Sequence, residues 1–216
     1  MQAQNQPDGS VTSTLIPALK EWAIAIEALM HGDMILLLRK GGIKEERGRF
    51  AVQHQQVVLY PTYEHQQPHL VKPAYQARIT PVESGWHPRE VTLTAWAEVS
   101  HLFQLQGAET VAALEPFHLW NNTFVSDRLK WKPKQPLYVL LLRVHALPSP
   151  CTIPYRNEYG GCRSWIGLQD VATTRLTHGQ TVLTDKEYAE QVQAIASVIE
   201  TYEPDAPRVQ FSPTQG

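Results

Sequence analysis

Two predominantly apolar segments, 34–38 and 137–144, constrain the fold more than any other feature of this chain. The first is a continuous run of Met, Ile and Leu between Gly32 and Gly41. A short apolar run bounded by turn residues is typical of a strand that is buried on both faces. We therefore predict that residues 34–38 form a strand in the centre of a sheet. Residues 137–144 are predicted to form the strongest strand of the chain.

Two further segments read as strands. Residues 50–60 are rich in β-branched and aromatic residues, and Pro61 is predicted to end that strand. Residues 91–99 alternate between apolar and polar side chains, which favours a half-buried strand.

Helices are predicted near both ends of the chain and in its middle. The first begins at Pro17, carries an apolar stripe from Leu19 to Met30 and stops at Gly32. Short helices are expected at residues 108–114 and 122–129, and an amphipathic helix at 185–202 with Thr184 or Asp185 as its N-cap.

The order of these elements predicts the fold class. Strands and helices do not alternate at βαβ spacing, so a doubly wound parallel sheet is disfavoured. We predict an α+β domain with a mixed or mostly antiparallel sheet that could be barrel-like. The globular domain is expected at residues 14–202, between a disordered N-terminal tail at 1–13 and a flexible C-terminal tail at 203–216.

The net charge and the hydropathy of the chain limit the classes of function that it can have. A formal net charge of −2 gives no global positive field, so any nucleic-acid site must be local. The chain has no apolar run of the roughly 20 residues that a membrane-spanning helix needs. We expect a cytoplasmic protein that does not contact membranes, and the sequence gives no indication of its oligomeric state.

Residues 39–50 form the densest charged block. Arg39, Lys40 and Lys44 surround paired glycines directly after a strand, where backbone amides and cations can approach a phosphate. The alternative is a solvated hairpin in which the glycines serve the turn.

A second block, residues 60–66, places Tyr60, Tyr63, Glu64 and His65 just after a strand. Aromatic rings with a carboxylate and an imidazole can hold a base by stacking and hydrogen bonds. Glu64 and His65 could alternatively bind a metal, or the block could cap the strand. No cofactor or metal is expected under the first of these hypotheses.

Two later blocks carry weaker signals. Residues 120–134 interleave aromatic rings with Arg128 and Lys130, a pattern that suits a phosphate backbone with exposed bases, although the lysines could simply be solvated. Residues 158–165 contain a Gly-Gly pair before Cys162, which we interpret as a packed cysteine rather than a nucleophile.

Four unusual strings carry a family resemblance: ALKEWA at 18–23, LLRKGGI at 37–43, LYPTYEHQ at 59–66 and EYGGCRSW at 158–165. Through them the chain resembles the family called domain of unknown function 1802. Some members of that family are associated with restriction-endonuclease-like domains, which implies a role beside nucleic acid. A looser similarity to PUA and ASCH barrels rests on the helix ending at Gly32 and the strand into Arg39, and it implies binding of RNA or modified bases.

The leading hypothesis is a non-enzymatic nucleic-acid-binding domain, because no complete catalytic motif is present. Its predicted phosphate contacts are Arg39, Lys40, Lys44, Arg128 and Lys130, and its predicted base contacts are Tyr60, Tyr63 and His65. The alternatives are a metal-dependent hydrolase or nuclease that uses Glu64 and His65, and a subunit that docks to a protein partner.

Overall fold

The computed structural model describes residues 15–40, 44–46, 49–52, 54–169 and 179–211, with the backbone alone at 44–46 and 49–51. Its strands are β1 (Ile16–Trp22), β2 (Leu36–Arg39), β3 (Lys44–Glu46), β4 (Arg49–Ala51), β5 (Gln56–Thr62), β6 (Glu90–Leu105), β7 (Leu137–Pro154), β8 (Trp165–Leu168), β9 (Gln180–Thr181) and β10 (Arg208–Gln210). Its helices are α1 (Ala23–His31), α2 (Pro73–Gln76), α3 (Ala108–Ala113), α4 (Asn122–Lys130) and α5 (Asp185–Tyr202). The chain is α+β, as predicted.

Eight of the described strands form one sheet with the central order β2-β7-β6-β5-β1-β8, while β10 pairs with β6 and β9 with β7. Nearly all of the pairs are antiparallel, and β1 with β5 is parallel. Strands β3 and β4 form a separate hairpin. The predicted mostly antiparallel sheet is confirmed.

Alternate residues of the strands enter two apolar cores. On β5, Val57 and Leu59 belong to a large core that also contains residues of α1, α3, α4 and α5. Val58 and Tyr60 point the other way, into a smaller core between β1, β6, β7 and β8. This follows from the two-residue period of a strand, and it leaves the helices on one face of the sheet.

The predicted first helix is half wrong. Residues 16–22 form β1, which is paired on both sides by β5 and β8, and the helix begins only at Ala23. The predicted stop at Gly32 is confirmed: its φ of 74° lies in the left-handed region, which a glycine adopts without penalty.

Two strand predictions also need correction. Residues 36–38 of β2 are buried, but the strand lies at the end of the sheet order rather than in its centre. Pro61 does not end β5, because the strand continues to Thr62 and Pro61 aligns with Glu21 of β1. By contrast, the strands at 91–99 and 137–144 are confirmed and extend further, as β6 and β7.

The remaining helix predictions are confirmed. Helices α3 and α4 lie where they were expected, and α5 begins at a capping box in which Thr184 and Glu187 exchange hydrogen bonds. Strand β10 lies within the segment that the composition predicted as a tail. No helix in the described part of the chain is long and apolar enough to cross a membrane.

The two ends of the sheet approach each other at Arg39. This residue ends β2, yet its Nη2 donates to the carbonyl of Lys20 in β1 at 2.6 Å and its Nη1 lies 3.4 Å from Ser164 Oγ, just before β8. No backbone pairing joins β2 to β1 or β8 among the described strands, so the sheet is not a closed barrel. The side chain of Arg39 bridges this junction between β2 and β1, which we call the seam. The cleft described below opens beside it.

Candidate functional site

Two adjoining cavities, of about 380 and 470 Å³, open beside the seam. They have six wall residues in common, which are Lys20, Thr62, Glu64, His65, Gly161 and Cys162. We call the smaller one the basic chamber, the larger one the aromatic chamber, and the two together the cleft. Volumes of this size are typical of small-molecule and nucleotide sites.

The basic chamber has an excess of positive charge. Its wall contains five basic side chains and two acidic ones, so its formal excess is three positive charges; they are Lys20, Arg39, Lys40, Arg128 and Arg163 against Glu21 and Glu64. A concave site lined by one sign of charge attracts ions of the opposite sign. How many of these cations remain available depends on their partners.

Arg39 is held by a buried ion pair. Its Nη2 lies 2.9 Å from Glu21 Oε2, and the two side chains are 14% and 9% exposed. Glu21 Oε1 accepts from the backbone amide of Trp22 at 2.8 Å, and Arg39 Nε is buried with no partner among the described residues. Arg39 therefore mainly connects β2 to β1 at the seam, and the carboxylate of Glu21 compensates most of its positive charge.

Lys40 is engaged entirely by backbone carbonyls. Its ammonium donates to the carbonyls of Leu129, Lys132 and Gln135 at 3.3, 3.1 and 2.7 Å, and the residue is only 6% exposed. Burial lowers the pKa of this amine. An ammonium has three N–H groups, so none is left for a ligand, and Lys40 instead fastens the end of α4 to the segment before β7.

Lys20 keeps one donor free. It donates to the carbonyls of Tyr159 and Gly161 at 2.7 and 2.8 Å, and it lines both chambers. Burial, followed by the charge of Arg163, lowers the pKa of its amine. Its third N–H can therefore meet a ligand at the boundary between the chambers.

Arg128 places another guanidinium in the wall of the basic chamber. Its guanidinium lies 4.8 Å from the centre of the Phe124 ring, and no hydrogen bond to it is found within the described residues. Burial lowers its pKa, without depriving a guanidinium of its proton at neutral pH. Trp131, which is 49% exposed, lies at the rim of the same chamber.

Aromatic rings dominate the wall of the second chamber; they are Tyr60, Tyr63, Trp86, His87, Tyr155 and Tyr159. Tyr63 meets Trp86 edge to face at 5.9 Å, and Tyr60 meets Tyr159 in the same way at 5.8 Å. His87 stacks on Tyr155 at 3.6 Å. Such walls offer both ring faces and ring edges to a planar ligand.

The Tyr60 hydroxyl is an unsatisfied group in this wall. Tyr60 is 3% exposed, and its hydroxyl is buried without a hydrogen-bond partner among the described residues. Burial, together with the neighbouring Tyr155 and Tyr159, raises its pKa, so the group stays protonated. A buried hydroxyl without a partner is costly, which makes this group a candidate ligand contact.

Glu64 stands between the two chambers. Its Oε1 accepts from the Gly85 amide at 2.7 Å and from the Ser84 hydroxyl at 3.3 Å, whereas its Oε2 lies 3.9 Å from His65 Nε2 and accepts no hydrogen bond from the described residues. The hydrogen bond from Gly85 lowers the pKa of this carboxyl. The site thus contains an ionised, oriented carboxylate with one oxygen available.

The sequence of the chain identifies its family. The sequence model of the family described as domain of unknown function (DUF1802) matches residues 18–194. The chain belongs to the DUF1802 family. Every residue that lines the cleft lies between Lys20 and Ser164, so the cleft is part of the DUF1802 domain.

The DUF1802 chain resembles a solved structure only distantly. A crystal structure of a point mutant of the ZmASCH protein from Zymomonas mobilis aligns with a TM-score of 0.43 and 12% identity, over 85% of this chain and 97% of that one. No curated protein matches the chain.

The cleft gathers most of the predicted site residues of the DUF1802 chain. Arg39, Lys40 and Arg128 line the basic chamber, Tyr60 and Tyr63 line the aromatic one, and Glu64 and His65 line both. The exposed Lys130 lies on α4 outside both walls, and the side chain of Lys44 lies outside the described residues.

The sequence reasoning missed Lys20, Glu21, Trp86 and His87. The first two lie within the predicted first helix but outside its apolar stripe, and the last two belong to none of the predicted strands or blocks. Within the described residues no group of three or more His, Cys, Asp or Glu side chains could hold a metal ion. The pair of Glu64 and His65 therefore gains no third ligand there.

Proposed function

We propose that this chain is a nucleic-acid-binding domain that takes one unpaired nucleotide into its cleft. A phosphate would lie in the basic chamber and the attached base in the aromatic chamber. The observation that carries this proposal is that the two chambers share a wall at Lys20, Glu64 and Gly161. A nucleotide is a ligand whose anionic and planar aromatic parts are adjacent in the same way.

The phosphate contacts in this proposal are Arg128, Arg163 and Lys20. Arg163 is exposed and uses one nitrogen on the Glu158 carbonyl at 2.5 Å, so its other donors are available. Lys20 retains one N–H group, and no described residue accepts a hydrogen bond from the Arg128 guanidinium. Hydrogen bonds from such cations to phosphate are charge-assisted and stronger than neutral ones.

This contact set differs from the one that the sequence suggested. Lys40 is excluded, because carbonyls occupy its three N–H groups. Lys130 remains a proposed contact to the phosphates of neighbouring nucleotides, since it is exposed on the same helix as Arg128.

The base contacts in this proposal are the aromatic rings. Stacking on an aromatic side chain contributes about 1–3 kcal/mol per base. Tyr63, His65 and Trp86 belong to the same wall, and Trp86 is 45% exposed, so its ring is accessible from outside. A metal-dependent hydrolase fits less well, because one oxygen of Glu64 is already taken by residues 84–85.

Fluorescence anisotropy with labelled single-stranded RNA and DNA, titrated over a range of salt concentrations, tests the proposal. Replacing Arg128 by Gln should weaken binding about tenfold at low salt and reduce the slope of log K against log salt by about 0.7, because one phosphate contact is lost. Arg128→Lys should retain most of the slope, since it keeps the charge.

The matched control is Lys186→Gln, which removes one positive charge from the exposed surface of α5. That variant should bind like the wild type. Absence of binding by the wild-type chain to every single strand at low salt would contradict the proposed function. Equal loss in the Arg128 and Lys186 variants would contradict the assigned site.

A further inference from the structure

We propose that the aromatic chamber selects guanine, whose N1–H and N2–H groups donate to the carboxylate of Glu64. This inference rests on the proposed function and adds the identity of the base. Three observations carry it: the orientation of Glu64, the pattern of donors on the bases, and the unpartnered hydroxyl of Tyr60.

Glu64 is fixed before any ligand arrives. Two donors from residues 84–85 hold Oε1, and Oε2 lies 3.9 Å from Nε2 of His65, which also belongs to the shared wall of the chambers. Gly85 has a φ of 80°, a left-handed conformation that suits glycine, and its amide is the closer of the two donors, at 2.7 Å. A carboxylate held in this way is an acceptor only, because it carries no proton at neutral pH.

An ionised acceptor discriminates between the bases. Guanine presents two adjacent donors, N1–H and N2–H, on its Watson–Crick edge. Adenine and cytosine place a lone-pair nitrogen beside their amino group, and uracil flanks its single N–H with two carbonyl oxygens. These lone pairs would face the negative charge of Glu64. Guanine alone among the four offers that charge two neighbouring donors and no acceptor between them.

Tyr60 supplies the complementary polar group. Its protonated hydroxyl is enclosed in the wall of the aromatic chamber and has no partner among the described residues. Guanine carries the acceptors O6 and N7 outside its N1–N2 donor edge. A guanine that enters the chamber and uncovers this hydroxyl would accept from it through O6 or N7 while it donates to Glu64, and the surrounding rings would stack on its faces.

Binding of short oligouridines with one central substituted nucleotide tests the inference by anisotropy. A single guanosine should raise affinity about tenfold over plain oligouridine and over the adenosine probe. Inosine lacks the N2 amino group and should bind about fivefold less tightly than guanosine. One guanosine per strand avoids association of guanine-rich strands, and these comparisons need no variant protein.

A second binding experiment uses the variant Glu64→Gln. Glutamine can still accept from Gly85 and Ser84 through its oxygen, but it presents an NH₂ group where Oε2 stood. The variant should lose the guanosine preference and keep its binding to plain oligouridine. Glu83→Gln is the matched control, because it removes the same charge from an exposed position next to Ser84 and outside the cleft wall.

The possible results distinguish a failure of the guanine assignment from a failure of the proposed nucleic-acid binding. Equal affinity for guanosine and uridine probes, or an unchanged preference in Glu64→Gln, overturns the guanine assignment while binding itself still supports the proposed function. No binding by any probe overturns both. Competition by choline as effective as that by GMP would make the chamber a cage for quaternary ammonium groups and would also overturn the inference.

Discussion

At the scale of the residue, Tyr60 shows a balance between stability and binding. A buried hydroxyl without a partner destabilises the folded state, and the fold retains one in the wall of the aromatic chamber. Tyr60→Phe should therefore raise the free energy of unfolding by about 1 kcal/mol and weaken binding of a guanosine-containing strand. Chemical denaturation and anisotropy measure the two effects separately.

The control for Tyr60 is Tyr202→Phe, since Tyr202 is 54% exposed near the end of α5. That substitution should change neither quantity. A Tyr60→Phe protein that is less stable and binds normally would assign the hydroxyl a structural partner rather than a ligand.

The sequence indicated which side chains line the cleft better than it indicated the contacts that each of them makes. Tyr60, Tyr63, Glu64, His65 and Arg128 all lie in the cleft walls. The use of each side chain was less predictable, because it depends on contacts distant in sequence. Lys40 had the right charge and lies in the right wall, yet carbonyls 89 to 95 positions away saturate it.

At the scale of the element, β1 shows why a local pattern failed. The apolar residues from Leu19 to Met30 fit a helical stripe, but Ala18 and Leu19 are both fully buried because β1 lies between β5 and β8 and is covered on both faces. Pairing with strands about 40 and 147 positions away outweighed the local preference. Lys20 and Glu21 were missed as site residues for the same reason.

The seam between β2 and β1 depends on one guanidinium. Arg39 contacts Glu21, the Lys20 carbonyl and Ser164 through two nitrogens of one planar guanidinium, a geometry that the compact ammonium of a lysine does not reproduce. Arg39→Lys should therefore lower the free energy of unfolding by about 2 kcal/mol, because lysine keeps the positive charge beside Glu21 but loses hydrogen bonds that the guanidinium makes. Urea denaturation of the wild type and the variant measures the difference.

Arg208→Lys is the comparison for that experiment. Arg208 pairs with Glu200 at 2.9 Å, but both side chains are more than half exposed. An exposed pair contributes little, so this variant should remain within about 0.5 kcal/mol of the wild type. Similar losses in the two variants would mean that Arg39 does not hold the seam.

At the scale of the whole molecule, the cleft is a product of topology. The cleft residues 39–40, 60–65, 128 with 131, and 161–164 come from four separate regions of the sequence. They meet because the sheet order brings β1, β5 and β8 together, and because the two ends of the sheet approach at Arg39. Sequence patterns located each block, but strand pairing decided that the blocks share one site.

A site built in this way should distinguish single strands from duplexes. The aromatic chamber is a cavity of about 470 Å³ beside the seam, so a base can enter it only when it is unstacked and unpaired. Extruding a base from a duplex costs a few kcal/mol, and we therefore expect a strand annealed to its complement to bind at least about tenfold more weakly than the free strand. A duplex with one unpaired guanosine bulge should recover most of that affinity, because its base is already free. Anisotropy competition at one fixed salt concentration compares the three probes. If the perfect duplex bound as tightly as the single strand, the phosphate backbone would be held along the surface, and the cleft would not be the site of binding.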